Sequence, residues 1–140
     1  MAEDTAKRGQ TGMFTYRKTD NGNFVFYLVA SNHETLAHGG EAYKYESSCI
    51  GGIESVRNFS PIVFDGKIED QTKEKVEKVT NPKWEVYKDK EGKFRFRLRA
   101  NNGNLIAISE AGYVSKQGCI NGMKSVANQS KDAPVIKLEK

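Results

Sequence analysis

The sequence predicts an α+β protein made of two tandem β3-α-β repeats, which form one antiparallel-rich sheet with two helices on one face. Three observations support this fold class. The chain aligns with itself at a shift of 70 residues, its strand-like segments alternate between apolar and polar side chains, and one segment in each copy carries apolar residues at helical spacing. No apolar run approaches the roughly 18 residues that a membrane-spanning helix needs.

The internal repetition aligns residues 14–58 with residues 84–128 without a gap, and 15 of the 45 aligned pairs are identical. After this block, the tripeptide that starts at Pro61 matches the one that starts at Pro134. Each unit has about 55 residues, which is small for an independent hydrophobic core. We therefore expect the two units to share one core.

Each copy begins with strand signals. Short strands at residues 14–18 and 84–88 lead into turns that contain Gly22 and Gly92, because glycine accepts the positive φ of a tight hairpin. The next strands cover residues 24–30 and 94–100, and a third strand follows at residues 105–108 in the second copy. In residues 94–100, phenylalanine, leucine and alanine alternate with arginine, which is typical of a strand with one covered face.

A helix follows in each copy, because apolar or small residues recur at i, i+3, i+4 and i+7. These residues are Cys49, Gly52, Ile53 and Val56 in the first copy, and Cys119, Gly122, Met123 and Val126 in the second. We expect Ser47 or Ser48, and Ser115, to cap the two helices. The helical glycines lower helix propensity by roughly 1 kcal/mol each, so we expect a close approach of the helix to the sheet to compensate. A last strand is expected to start at Pro61 and at Pro134.

The predicted organisation is a flexible tail at residues 1–12, repeat 1 at 13–65, a charged linker at 66–82 and repeat 2 at 83–140. The linker has room for a short helix carrying Val76 and Val79. The residues expected to dominate the core are Phe24, Phe26, Leu28, Phe94, Phe96, Leu98, Ile53, Val56, Met123 and Val126.

The paired motifs resemble one family. The segments GNFVFYLVA and GKFRFRLRA, with the helices IGGIESVRN and INGMKSVAN, are similar to YegP-like domains across both repeats. The resemblance implies a β3-α-β unit used as a homodimer or as a tandem pair, whose two units form a single sheet and exchange their C-terminal strands. It implies no catalytic residues. Cys49 and Cys119 depart from the pattern, since alanine or another small residue is expected there.

Charge and cysteine content restrict the function classes. The net charge of +4 is uneven, because residues 1–70 sum to −3 and residues 71–140 to +7. A basic half can attract nucleic acid or another anionic surface, although a solvated face has the same composition. Two cysteines are too few for a disulfide scaffold, and no export signal is visible, so we expect a cytoplasmic protein with free thiols and no membrane contact.

No catalytic, metal-binding or cofactor-binding motif is complete. His33 and His38 are five residues apart, whereas zinc-binding histidines on a helix need a spacing of four. The segment from Gly118 to Ser125 has three residues between its glycines instead of the four of a phosphate-binding loop. Both cysteines lie on the apolar helical stripe, where a thiol behaves as a small hydrophobic group. We therefore expect no enzyme activity, no metal and no cofactor.

The candidate binding surface is the sheet face opposite the helices. It comprises Arg95, Arg97, Arg99 and Tyr87 in the second copy, and Val25, Tyr27, Val29 and Arg17 in the first. Arginines among aromatic rings suit single-stranded nucleic acid. Alternatively, the arginines pair with Glu85 or Glu110 and the face is an ordinary solvated surface. A third interpretation takes Val25, Tyr27 and Val29 as a contact patch for another protein or for a second copy of this chain.

The sequence therefore favours a small non-catalytic binding or protein-interaction module. Single-stranded nucleic-acid binding is the alternative, and an enzyme is the competing class that a deep pocket with convergent polar groups would revive. The identity of the partner is not encoded in any motif.

Overall fold

The computed structural model describes residues 11–139, so the flexible tail predicted for residues 1–12 lies outside the described residues except for its last two positions. The described strands are β1 (Met13–Lys18), β2 (Phe24–Val29), β3 (Thr35–Gly39), β4 (Ile68–Asp70), β5 (Lys83–Lys88), β6 (Phe94–Arg99), β7 (Leu105–Ser109) and β8 (Val135–Lys137). The helices are α1 (Glu46–Phe59) and α2 (Lys116–Ser130), and a 3-10 helix spans Ser60–Asp65.

The strands of residues 11–139 form one sheet in the order β4-β5-β6-β7-β3-β2-β1-β8. The two repeats meet where β3 and β7 pair in antiparallel orientation. At the edges, β4 of the first repeat pairs in parallel with β5 of the second, and β8 of the second repeat pairs in parallel with β1 of the first. The C-terminal strands are therefore exchanged, and the predicted α+β fold is confirmed.

We call β8, β1, β2 and β3 the first sheet half, and β4, β5, β6 and β7 the second sheet half. Both helices pack on the same face of the sheet through the predicted stripes, with Ile53 and Met123 wholly buried. Trp84 and Phe14, the first matched pair of the repeat, are also fully buried. The sequence placed these two residues in strands but not among the main core residues.

Close contact with a tyrosine ring accounts for the helical glycines. A Cβ atom on Gly52 would press against the ring of Tyr43, and one on Gly122 against that of Tyr113. Each tyrosine ring in turn stacks on a core phenylalanine, with ring centroids 6.2 Å apart for Phe26 and Tyr43. As expected, a close approach of each helix to its neighbours accounts for its glycine. The group nearest to each glycine, however, is the tyrosine ring, which lies outside the named strands.

Three local predictions were wrong. The segment at Pro61 is a 3-10 helix, and the chain reverses at Gly66 (φ 76°) before the exchanged strand β4, which lies inside the expected linker. The rest of the linker contains no helix at Val76 or Val79. The first residue before α1 is Tyr45, which provides no side-chain cap, whereas Ser115 caps α2 as expected by accepting a hydrogen bond from the Gly118 N–H at 2.9 Å.

Candidate functional site

The candidate surface is the outer face of the sheet, which is the face opposite the two helices. Strand register defines its members, because residues paired across neighbouring strands point to the same side. Glu85 lies beside Arg97 and Glu69 in the second sheet half, and Thr15 lies beside Tyr27 and Ile136 in the first. The eight predicted surface residues all belong to strands that form this face.

In the second sheet half, the arginines are held by an acidic residue of their own sheet. The Glu85 carboxylate accepts hydrogen bonds from Arg97 Nε at 2.5 Å and from Arg99 Nε at 3.1 Å, and the residue is only 3 % exposed. Burial acts to raise the pKa of Glu85, but the two guanidinium groups outweigh burial and lower it. Of the two acidic partners that the sequence suggested for the arginines, Glu85 and Glu110, Arg97 and Arg99 pair with Glu85.

Residues of the predicted linker form hydrogen bonds over this part of the sheet. Glu69 of β4 accepts hydrogen bonds from Lys83 Nζ at 2.7 Å, from the Val79 N–H at 2.9 Å and from Gln71 Nε2 at 2.8 Å. Gln71 in turn accepts one from Arg97 at 2.8 Å. Burial raises the pKa of Glu69, but these donors together lower it to about 2. We call Glu69, Gln71, Lys83, Glu85, Arg97 and Arg99 the ionic network.

The remaining members of this half also have internal partners. Arg95 forms an ion pair with Asp89 at 2.7 Å, and the pKa of Asp89 is lowered chiefly by that contact. The guanidinium of Arg97 lies over the Tyr87 ring, 4.3 Å from its centroid. Arg95, Arg97 and Arg99 therefore each have an acidic partner within the protein, and their side chains are about a third exposed or less.

In the first sheet half, the equivalent region is apolar. Val25, Tyr27 and Val29 are each partly exposed, and Ile136 and Leu138 are each 42 % exposed. We call these five residues the apolar patch. Beside it, Arg17 forms no ion pair or side-chain hydrogen bond with any described residue. This half of the outer face thus combines accessible apolar area with one unpaired cation.

The two halves differ at matching positions. Tyr27 and Val29 replace Arg97 and Arg99, and Thr15 replaces Glu85, by the shift of 70 residues. The sequence did not reveal Glu69, Gln71, Ile136 and Leu138 as surface members. The alternation of Ile136, Lys137 and Leu138 after Pro134 was a usable signal for the last two. Glu69 and Gln71 carried no such signal, since they lie in a charged segment with the composition of a linker.

Neither thiol has the character of a nucleophile. Cys49 and Cys119 are completely buried, and burial raises their pKa values to about 11 and about 12. His33 occupies a left-handed turn position (φ 73°) equivalent to Gly103, and His38 contacts Glu110 at 2.9 Å. Within residues 11–139, no group of three or more potential metal ligands comes together.

One polar groove of about 430 Å³ lies between the β2–β3 turn and α2. Its lining includes Asn32, Glu34, Tyr113, Asn121 and Ser125, but neither cysteine nor histidine. Burial raises the pKa of the Tyr113 hydroxyl, so that less of the nucleophilic phenolate forms near neutral pH. The groove therefore contains hydrogen-bonding groups without a paired nucleophile and base of the usual serine, cysteine and histidine types.

Fold and surface together define a tandem-repeat α+β protein with exchanged edge strands, one polar outer half and one apolar outer half. No helix among residues 11–139 is long and apolar enough to cross a bilayer. The chain belongs to the family described as Domain of unknown function (DUF1508), whose model matches residues 20–62 and 89–136. Together with the similarity to the structure of yegP from E. coli described below, this membership confirms the predicted YegP-like family.

Relatives contain one unit or two. The UPF0339 protein PA0329 of Pseudomonas aeruginosa is 33 % identical over 120 residues, which cover 86 % of this chain and 91 % of that protein. The UPF0339 protein of Treponema denticola is 54 % identical over 56 residues, which cover 40 % of this chain and 95 % of that protein. The solution NMR structure of the protein of unknown function yegP from E. coli matches with a TM-score of 0.71 at 28 % identity, covering 91 % of this chain and 92 % of that one.

Proposed function

We propose that the protein is a small, non-catalytic, cytoplasmic interaction module that binds a partner protein through the apolar patch. The observation that supports this function is the difference between the two sheet halves. In the second half, every polar group of the ionic network is paired and the linker covers Glu69. In the first half, the equivalent positions on β2 and β8 expose apolar side chains, with Thr15 of β1 between Tyr27 and Ile136. Exposed apolar area of this kind is typical of protein contact sites.

Single-stranded nucleic acid is the less favoured ligand. Phosphate binding requires cations that can exchange counterions for the nucleic acid. Arg95, Arg97 and Arg99 already pair with Asp89 and Glu85. Withdrawing Arg97 and Arg99 would leave Glu85, which is 3 % exposed, as a buried carboxylate with only Lys83 beside it, at 3.3 Å.

The burial of both thiols and the composition of the polar groove support the proposal that the protein is not catalytic. Two buried cysteines with raised pKa values supply little thiolate near neutral pH, and the groove offers no thiol or imidazole. The free state of both cysteines agrees with a reducing compartment, which supports the proposed cytoplasmic location.

The test compares capture by wild-type protein with capture by the Ile136→Ser/Leu138→Ser variant. Both proteins are immobilised, exposed to extract from the native host, and the bound proteins are quantified. We expect at least one protein bound by wild type to be lost by the variant. Phe64→Ser is the matched control, because Phe64 is 55 % exposed but lies away from the patch, and it should retain the captured protein.

Two results would contradict the proposal. One is an identical set of captured proteins for wild type and for the patch variant, with both folded by circular dichroism. The other is tight binding of single-stranded DNA that weakens steeply with salt and survives the Ile136→Ser/Leu138→Ser change, which would favour the nucleic-acid alternative.

A further inference from the structure

The two seams of the sheet receive their edge strands in the same geometry. We call the β1 edge, which receives β8, the first seam, and the β5 edge, which receives β4, the second seam. Val135 lies opposite Phe14 as Ile68 lies opposite Trp84. The residue after each edge strand donates a backbone hydrogen bond of 2.8 Å, from Leu138 to Tyr16 and from Gln71 to Val86. Residues 135–138 are therefore the structural equivalents of residues 68–71.

At the start of each helix, the seam carries an ion pair, and its polarity is reversed between the seams. In the first seam, Lys137 of β8 contacts Glu46 of α1 at 3.1 Å. In the second seam, Asp70 of β4 contacts Lys116 of α2 at 2.6 Å. If each strand occupied the seam of its own repeat, Lys137 would face Lys116 and Asp70 would face Glu46. Both contacts would then be repulsive.

On the outer face, the polarity of the seams also differs. Glu69 in the second seam contacts Lys83 and the Val79 N–H, and it is 3 % exposed. Its equivalent in the first seam, Ile136, lies beside Thr15 and belongs to the apolar patch. In the first seam, a glutamate at this position would meet Met13 where the second seam has Lys83. A carboxylate moved there would lose its cation, and Lys83 would keep only its longer contact with Glu85, at 3.3 Å.

We infer that each seam is a strand-binding site that accepts the C-terminal strand of the opposite repeat and discriminates against the strand of its own repeat. The partner that fits the first seam is a strand with an outward apolar residue followed by a cation, as in Ile136-Lys137. The partner that fits the second seam has two successive carboxylates, Glu69-Asp70. Each half of this chain is thus complementary to the other half and not to a second copy of itself. Selective binding requires that the wrong pairing be penalised, and the like charges that meet in the wrong pairing supply that penalty.

The central test interchanges, in the full-length chain, the two residues of each edge strand that differ in polarity between the seams. The variant carries Glu69→Ile, Asp70→Lys, Ile136→Glu and Lys137→Asp, which leaves the amino-acid composition unchanged. We expect its thermal unfolding midpoint to fall by about 10 °C or more, since an unpaired carboxylate enters the apolar patch and both helix starts face like charges. A midpoint within about 2 °C of wild type would overturn the inference.

The matched control interchanges the inward-facing residues of the same strands, with Ile68→Val and Val135→Ile. Both residues are apolar, and the exchange conserves composition, so the midpoint should move by less than about 3 °C. A control that loses as much as the four-residue interchange would show that any change in these strands is harmful, and would also overturn the inference.

A milder set of variants keeps the test decisive if the four-residue interchange does not fold. Asp70→Lys with Lys137→Asp should lower the midpoint by a few degrees at low salt, about 2–5 °C, and by less at high salt. Adding Glu46→Lys and Lys116→Glu restores opposite charges at both seams and should recover the salt-dependent part of the loss. The hydrogen bonds from Thr72 to Asp70 and from Tyr16 to Glu46 stay lost in this variant. Failure of these two further changes to recover stability would refute charge-based discrimination.

Discussion

Adjacent glycines in α1 should respond in opposite directions to the same substitution. Gly51 is exposed, and a Cβ atom there would meet nothing within 4 Å. Gly52 is buried, and a Cβ atom there would press on the Tyr43 hydroxyl, 2.8 Å from the ring Cζ and 3.0 Å from Cε2 of Phe26. The substitutions Gly51→Ala and Gly52→Ala therefore share one change in helix propensity and differ in packing.

The magnitudes follow from two opposing effects. Alanine in place of glycine in a helix interior stabilises by about 1 kcal/mol. Overpacking a core contact costs about 1–3 kcal/mol. We expect Gly51→Ala to raise the free energy of unfolding by about 1 kcal/mol, and Gly52→Ala to change it by about 0 to −2 kcal/mol. The difference between the two variants isolates the contact with Tyr43.

The assay is urea unfolding followed by tryptophan fluorescence. Trp84 is the single tryptophan of the chain and is fully buried, so its emission reports on loss of the core. Tyr43→Phe removes the hydroxyl that a new Cβ atom would meet first, so Gly52→Ala should cost less in that background. Equal stabilisation by Gly51→Ala and Gly52→Ala would refute the close approach of Tyr43 to the helix.

Two further predictions concern titratable groups. Because the pKa of Glu69 is lowered from 4.5 to about 2, its contribution to stability is complete above about pH 5 and is lost as pH falls toward 2. The difference in urea midpoint between wild type and Glu69→Gln should therefore shrink over that range, and a constant difference would contradict the buried pairing. Cys49 and Cys119 should resist a thiol reagent at about pH 8 in the native protein and react fully in guanidinium, whereas rapid native labelling would contradict their burial.

The predicted faces illustrate what periodicity can establish. Alternation in residues 94–100 predicted that Phe94, Phe96, Leu98 and Ala100 point toward the core. The last three are buried, whereas Phe94, at the start of the strand, is only partly buried. The helical stripes likewise predicted buried positions for Cys49 and Cys119. These predictions succeed because burial of an apolar face is imposed by the local repeat of the backbone, 2 residues for a strand and 3.6 for a helix.

The error at Pro61 arose because pairing with a distant strand, and not the local sequence pattern, determines where the last strand of the first repeat begins. The proline matches Pro134 in sequence, but the strands that match in register begin at Ile68 and Val135. Extra residues in the first copy form the 3-10 helix and the turn at Gly66, so that the equivalent strand starts later. Sequence identity located the motif, whereas backbone hydrogen bonds to a distant strand determined which residues pair.

By itself, the sequence determined the duplication, the identity of most strands and both helices, and the faces that enter the core, because each depends on residues close together in the chain. The tertiary structure alone decided which outer half is closed. Glu69 meets Lys83 across 14 residues, and Gln71 meets Arg97 across 26. Ion pairs of this kind depend on which strands become neighbours, so a basic stretch read as an open surface becomes an internally paired network, and the uncovered half is the apolar one.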